Sequence, residues 1–233
     1  MLVFMKICGI IPAYQESRAI KQVVTLTQKY CTCVVVVDDG STDKTDRIAE
    51  ESGAIVLRHS KNLGKGAALR TGFNYAVETA CDIIITLDGD MQHNPHSIPR
   101  FIDKINKGFD VIVGSRYATQ SEAMPFMRKL SNLITTQALR LFFKVPVTDS
   151  QSGFRAFRKE VLEVVSVRDD GFAAETEILI DAKRAGFKIS EVPIATNYGE
   201  EESKIRARRD ITRWLATLGR NLIPQSRFVR QSE

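Results

Sequence analysis

Asp88 and Asp90 stand with one glycine between them where an apolar run ends, in the stretch ITLDGDMQHNP (residues 85–95). In extended backbone, positions i and i+2 face the same way, so both carboxylates can meet one hard cation. Mg²⁺ or Mn²⁺ takes one or two carboxylates and completes its shell with phosphate oxygens and water. The pair therefore implies a phosphorylated ligand as well as a metal. Two other polar groups follow apolar runs: Pro12-Ala13-Tyr14-Gln15-Glu16 and Asp38-Asp39-Gly40-Ser41. Alone, each reads as a turn or a capped helix entry. At corresponding positions of three strands they converge on one edge, where an open parallel sheet binds its ligands. Asn62-Leu63-Gly64-Lys65-Gly66 suits either phosphate contact or a plain helix entry, and its spacing is not that of a P-loop.

These residues need strands to deliver them. Apolar runs at 6–13, 33–41, 54–59, 82–88 and 110–116 alternate with helical patterns at 17–30, 42–53, 64–80 and 96–108. The runs are continuous and each is followed by a helix, which predicts an α/β fold with a mostly parallel sheet between two helical layers. After Arg116 the rhythm changes. Residues 124–143 read as one amphipathic helix, 145–161 as turns, a short strand and a helix start, 171–187 as a helix and 188–195 as a strand. The expected organisation is one domain over 1–202, with a ligand-binding half to residue 117 and a second half over 118–202. A basic tail follows over 203–233, and its residues 203–230 carry Lys204, Arg206 and six further arginines against Asp210 alone. Its apolar positions Ile211, Trp214, Leu215, Leu218 and Leu222 have helical spacing, so the tail could lie on an anionic membrane or pack on the domain.

A net charge of +5 and a pI near 9.0 fit an anionic partner. No stretch approaches the 18 apolar residues of a membrane span, and the opening run is broken by Lys6, so it reads as a first strand. Cys8, Cys31, Cys33 and Cys81 lie in or beside apolar runs without metal-site spacing, which predicts buried reduced thiols. His59, His93 and His96 do not form a ligand set; His96 reads as an exposed helix-start residue, and His93 is left outside the site.

IPAYQE, VVVVDDGSTDKT, NLGKGAALRTG, LDGDMQHNP, VGSRY, TDSQSGFRAF and ESK together resemble the family 2 glycosyltransferases. Within these the polyprenyl-phosphate sugar synthases are most similar, over about residues 6–209. The resemblance implies the GT-A fold and inverting, metal-dependent transfer of mannose or glucose. The sugar would pass from a GDP- or UDP-sugar to a polyprenyl or dolichyl phosphate. Pro12, Tyr14, Glu16, Val37 and Asp39 would hold the nucleoside, with Lys65 and Gly89 also on the donor. Asp88, Asp90 and Gln92 would hold Mg²⁺ or Mn²⁺. Arg116 and Arg128 would face the lipid phosphate, with Asn132, Lys204 and Arg206 beside it, and Asp90, Arg116 and Arg128 would be the catalytic set. Asn132 stands where mannose synthases often carry serine and Ala173 where some carry lysine, which takes weight from mannose. The implied location is cytoplasmic and peripheral on a membrane, with a membrane-embedded partner as one means of attachment and no nucleic-acid partner.

The chemistry is consistent with this. A phosphate monoester has a second pKa of about 6 and attacks without a general base. A sugar hydroxyl, the alternative acceptor, needs a carboxylate base, for which Glu175 and Glu177 are the candidates. A non-catalytic sugar-nucleotide-binding subunit would lack the aspartate pair. A nucleotidyltransferase would carry a glycine-rich loop where this chain has IPAYQE.

Overall fold

The computed structural model describes residues 5–117, 126–171 and 173–196 together with Gly219 and Asn221. Its strands are β1 (Ile7–Ala13), β2 (Cys33–Asp38), β3 (Ile55–Arg58), β4 (Ile83–Thr86), β5 (Val111–Ser115), β6 (Arg155–Arg158) and β7 (Ile189–Pro193). The helices are α1 (Ile20–Thr27), α2 (Thr45–Glu51), α3 (Lys65–Glu78), α4 (Ile98–Asn106), α5 (Phe126–Phe143), α6 (Lys159–Leu162) and α7 (Ala174–Arg184). The expected alternation of strand and helix holds along the chain.

All seven strands form one sheet in the order β3-β2-β1-β4-β6-β5-β7. The runs VVVV in β2 and III in β4 are buried on both faces, as a sheet covered by helices on each side requires. Alternate residues feed two cores. Ile10, Val35, Val37 and Ile84 pack with Leu69 and Phe73 of α3 and Ile178 of α7. Ile11, Val34, Val36 and Ile85 pack with Val23 and Val24 of α1 and Phe101 of α4. From β1 the chain steps outward through β2 and β3, then returns to β4 on the other side. That reversal puts the ligand crevice outside the carboxyl ends of β1 and β4.

β6 differs from the rest. It runs antiparallel to both β4 and β5, whereas the other pairings are parallel. Its amino end therefore lies at the same edge as the carboxyl ends of its neighbours, and the turn-rich residues 149–153 enter the crevice. Thr86 Oγ1 donates to the Gly153 carbonyl at 2.9 Å, fixing that loop to β4. The two expected halves share this sheet: β5 precedes residue 117, and both of its neighbours, β6 and β7, follow it.

Among the described residues, no helix is long and apolar enough to cross a membrane. Most of the tail, including Trp214, lies outside the described residues. At Asn221 the tail meets the domain: Arg184 of α7 donates to its side-chain oxygen at 2.9 Å and also to its carbonyl.

Candidate active site

Three strand ends meet as the sequence implies. The exits of β1 and β2 are tied together by the polar loop after β2. Ser41 Oγ accepts from the Gln15 amide at 2.9 Å, Thr45 Oγ1 from Glu16 at 2.8 Å and Asp43 from Ser17 at 3.0 Å. Gln15 and Met91, one at each exit flanking the crevice, adopt left-handed φ values of 57° and 60°. Non-glycine residues are held in that region only where the surroundings enforce it, commonly at functional sites. Tyr14 is left exposed at the rim. A Cβ added to Gly89 would meet nothing closer than 3.4 Å, with Glu16 and Ala13 its nearest neighbours. Gly89 also has no positive φ, so the chain's own packing does not demand glycine there.

Asp39 is buried and heavily engaged. Its oxygens accept from His59 Nδ1 at 2.7 Å, from the Leu63 amide at 2.9 Å and from the Gly64 amide at 2.8 Å. The Gly66 amide donates to the Asp170 carbonyl at 2.8 Å, and Cβ atoms on Gly64 or Gly66 would strike the backbone of Asp169 or Asp170. The glycines of the 62–66 stretch thus admit a neighbouring loop at the entry of α3. The side chain of Val37 is fully buried in one core, so only its backbone can face the crevice. Pro12, its register partner, is buried as well.

At the exit of β4, Lys65 Nζ lies between Asp88 Oδ1 at 2.5 Å and Glu175 Oε1 at 2.8 Å. Burial pushes the Asp88 carboxyl up, but the Lys65 ammonium more than reverses this and holds it below the usual carboxylate range. Gly153 faces this group, and a Cβ there would come within 2.7–2.8 Å of both Asp88 oxygens and Lys65 Nζ. Asp90 Oδ1 accepts from the Gln92 amide at 2.9 Å, forming a local turn.

His93 belongs to this site, contrary to the sequence expectation. It is buried, its Nε2 is 4.0 Å from Asp88 Oδ2, and its Nδ1 is buried with no hydrogen-bond partner among the described residues. Burial pushes its pKa down to about 4, against the pull of Asp88, so the ring is neutral near pH 7. His59, Asp39's partner, also sits at this edge, whereas His96 is exposed and bonds Tyr30.

Arg116, just beyond β5, grips the fully buried Asp149 through Nε at 2.7 Å and Nη2 at 2.9 Å. Asn132 of α5 donates to the same carboxylate at 2.7 Å and accepts from Thr136 Oγ1. Asn132 is 1% exposed, so it positions Asp149 and does not itself line a phosphate pocket. Arg128 lies in the first turn of α5 with its side chain outside the described residues, as are Lys204 and Arg206. Arg155 is a buried cation that spacing gave no reason to single out. Its guanidinium donates to the carbonyls of Ser150, Ser152 and Glu175, pinning the 149–153 loop.

Residues 8–166 match the family described as Glycosyl transferase family 2. The chain belongs to this family. A UDP-N-acetylglucosamine–dolichyl-phosphate N-acetylglucosaminyltransferase of Methanococcus voltae is 38% identical over 82% of this chain and 85% of that protein. A dolichol-phosphate mannosyltransferase of Pyrococcus furiosus is 35% identical over 88% of this chain and 60% of that longer protein. Glucosyl-3-phosphoglycerate synthase from Mycobacterium tuberculosis, crystallised with Mn²⁺, UDP and phosphoglyceric acid, shares the fold. It superposes with a TM-score of 0.77 over 95% of this chain and 80% of that one, at 22% identity. The protein is therefore a glycosyltransferase of GT-A fold.

The donor set of this glycosyltransferase fits a hard divalent cation: two carboxylates at a strand exit, one half-open to solvent, with an amide side chain two residues on.

Proposed function

We propose that the enzyme transfers a hexosyl group from a nucleotide sugar to a polyprenyl or dolichyl phosphate, with inversion at the anomeric carbon. The observation that carries the choice of acceptor is the engagement of both carboxylates that could have served a hydroxyl acceptor as base. Glu175 is 3% exposed and paired with Lys65. Glu177 is fully buried, with one oxygen accepting from the amides of Arg168 and Asp169. An acceptor that arrives already ionised needs neither. The dolichyl-phosphate relatives support the same reading.

In this reading the nucleoside lies along the exits of β1 and β2, against Tyr14, Glu16 and Asp39. Asp88, Asp90 and Gln92 would hold Mg²⁺ or Mn²⁺, which when bound would supply charge stabilisation for the departing nucleoside diphosphate. An acceptor phosphate oxygen attacks the anomeric carbon from the side opposite the diphosphate, whose bond to the sugar breaks as the new one forms. Arg116, fixed in direction by Asp149, Arg128, Lys204 and Arg206 orient the acceptor phosphate. Neutral His93 behind Asp88 keeps the cavity floor free of a competing cation.

The test uses the purified chain with Mn²⁺, labelled UDP- and GDP-hexoses and a polyprenyl phosphate in detergent. The expected product is an acid-labile glycosyl phospholipid, formed with one nucleoside diphosphate per transfer. Transfer to a glycolipid hydroxyl, with none to lipid phosphate, would overturn the reading.

A further inference from the structure

Three of the four cysteines meet at the sheet edge opposite the crevice. Cys8 lies in β1, Cys33 opens β2 as the register partner of Cys8, and Cys81 lies two residues before the start of β4. Their sulfurs lie within 4.8 Å of one another. Three sulfurs bound about 2.3 Å from a single metal would be about 4 Å apart, a separation this group already approaches. All three are free thiols; Cys8 and Cys81 are buried, while Cys33 is partly open to solvent and offers a way in.

The surroundings suit bound thiolates. Lys6 Nζ is anchored on the Thr79 carbonyl at 2.7 Å and brings a positive charge toward Cys33. Thr79 Oγ1 lies 3.4 Å from Cys81 Sγ, within hydrogen-bonding range of the sulfur. Such outer contacts orient ligands and tune a metal site. The fourth cysteine cannot join, because Cys31 packs in the core on the other face of the sheet. Among the described residues the group contains no fourth Cys, His, Asp or Glu ligand.

We propose that Cys8, Cys33 and Cys81 form a three-thiolate site for one soft cation of low coordination number, Cu⁺ being the best match. Thiolates select Cu⁺ and Zn²⁺ over harder ions, and a structural Zn²⁺ almost always takes four protein ligands. The five residue-to-residue steps from Cys8 to Ala13 place the site about 17 Å from the crevice, so it is separate from the transferase centre.

The full chain, reduced and anaerobic, is titrated with Cu⁺ presented as its bicinchoninate complex. The expected result is withdrawal of one Cu⁺ per chain, a thiolate-to-copper absorption band in the ultraviolet and a raised Tm. Cys33→Ser, at the partly open position, should bind at least about 100-fold more weakly, a larger effect than loss of an outer-shell partner. Cys31→Ser should bind as the parent does. Parent-like circular-dichroism spectra and cooperative urea unfolding in both variants verify that they are folded. The proposal fails if the parent withdraws no Cu⁺, if Cys33→Ser retains it, or if Cys31→Ser loses it equally. It also fails if equimolar Zn²⁺ displaces the bound Cu⁺.

Discussion

Two ion-pair clusters share the crevice, and they are built differently. In the first, Lys65 is a point charge between Asp88 and Glu175, and the Lys65 and Asp88 side chains remain 17% and 26% exposed. In the second, Asp149 is wholly buried and held by a two-pronged guanidinium, a backbone amide of Arg116 and the side chain of Asn132. An ammonium on a flexible stem can give way at Asp88 to a divalent ion, whereas Arg116 cannot turn without stranding a buried carboxylate. One cluster is exchangeable and the other is a frame. Transfer chemistry needs both, since the donor's cation must come and go while the acceptor's cationic partner must point one way.

Breaking the frame should have the largest effect. Asp149→Ala leaves Arg116 and Asn132 without their shared partner and should cost about 3–5 kcal/mol of folding stability, measured by urea unfolding. A loss under about 1 kcal/mol would remove the distinction between the clusters. Asp88→Ala or Asp90→Ala should instead lower kcat/KM by about 10²–10³, comparable to losing one stabilising group at a developing charge. Their unfolding curves should shift far less than that of Asp149→Ala, because Lys65 and Glu175 can still pair.

Acid separates the clusters by pH window. His93 has a folded pKa of about 4, below the ordinary value of 6.5, so the unfolded chain takes up this proton first. Its contribution is present above about pH 6.5 and is lost as pH falls toward 4, amounting to about 3 kcal/mol across the window. For Asp149, burial raises the carboxyl and Arg116 more than compensates, leaving it lowered. The stability it adds persists above the ordinary carboxylate value of about 3.9 and goes only below that. Stability curves from pH 8 to 3 should therefore fall in two stages, and His93→Gln should erase the first alone. The smallest effect belongs to Gly89→Ala, which should leave stability unchanged or raise it by about 0.4–1 kcal/mol. The same change should weaken UDP binding in calorimetry; unaltered binding would mean that no ligand approaches Gly89.

What the sequence disclosed follows from how each feature is encoded. The strand-end set was legible because each member directly follows its own apolar run, and parallel strands deliver their ends to one edge. The direction of β6 was not legible, since four residues between turns carry no mark of direction. The pairings Lys65–Glu175 and Arg116–Asp149 depend on that direction and on helix placement, so spacing along the chain could not show them. Cys8, Cys33 and Cys81 escaped for the same reason: register between neighbouring strands, not sequence distance, gathers them. The burial of the Val37 side chain was likewise not legible, because a resemblance carries over a position without saying whether backbone or side chain does the work.

The antiparallel strand also has a consequence during synthesis. β4 ends at Thr86, yet its second neighbour, β6, is complete only at Arg158. Until then one side of β4 is an open row of backbone donors and acceptors on an apolar strand, a template for foreign strands. At roughly 5–20 residues per second, the intervening chain takes about 4–14 s to emerge. For that interval β5 has no partner in the sheet either, since both of its neighbours are still to be made. The nascent protein is thus most exposed to mispairing midway through translation, with pairing among β1, β2, β3 and β4 already available and the rest of the sheet waiting on a four-residue strand.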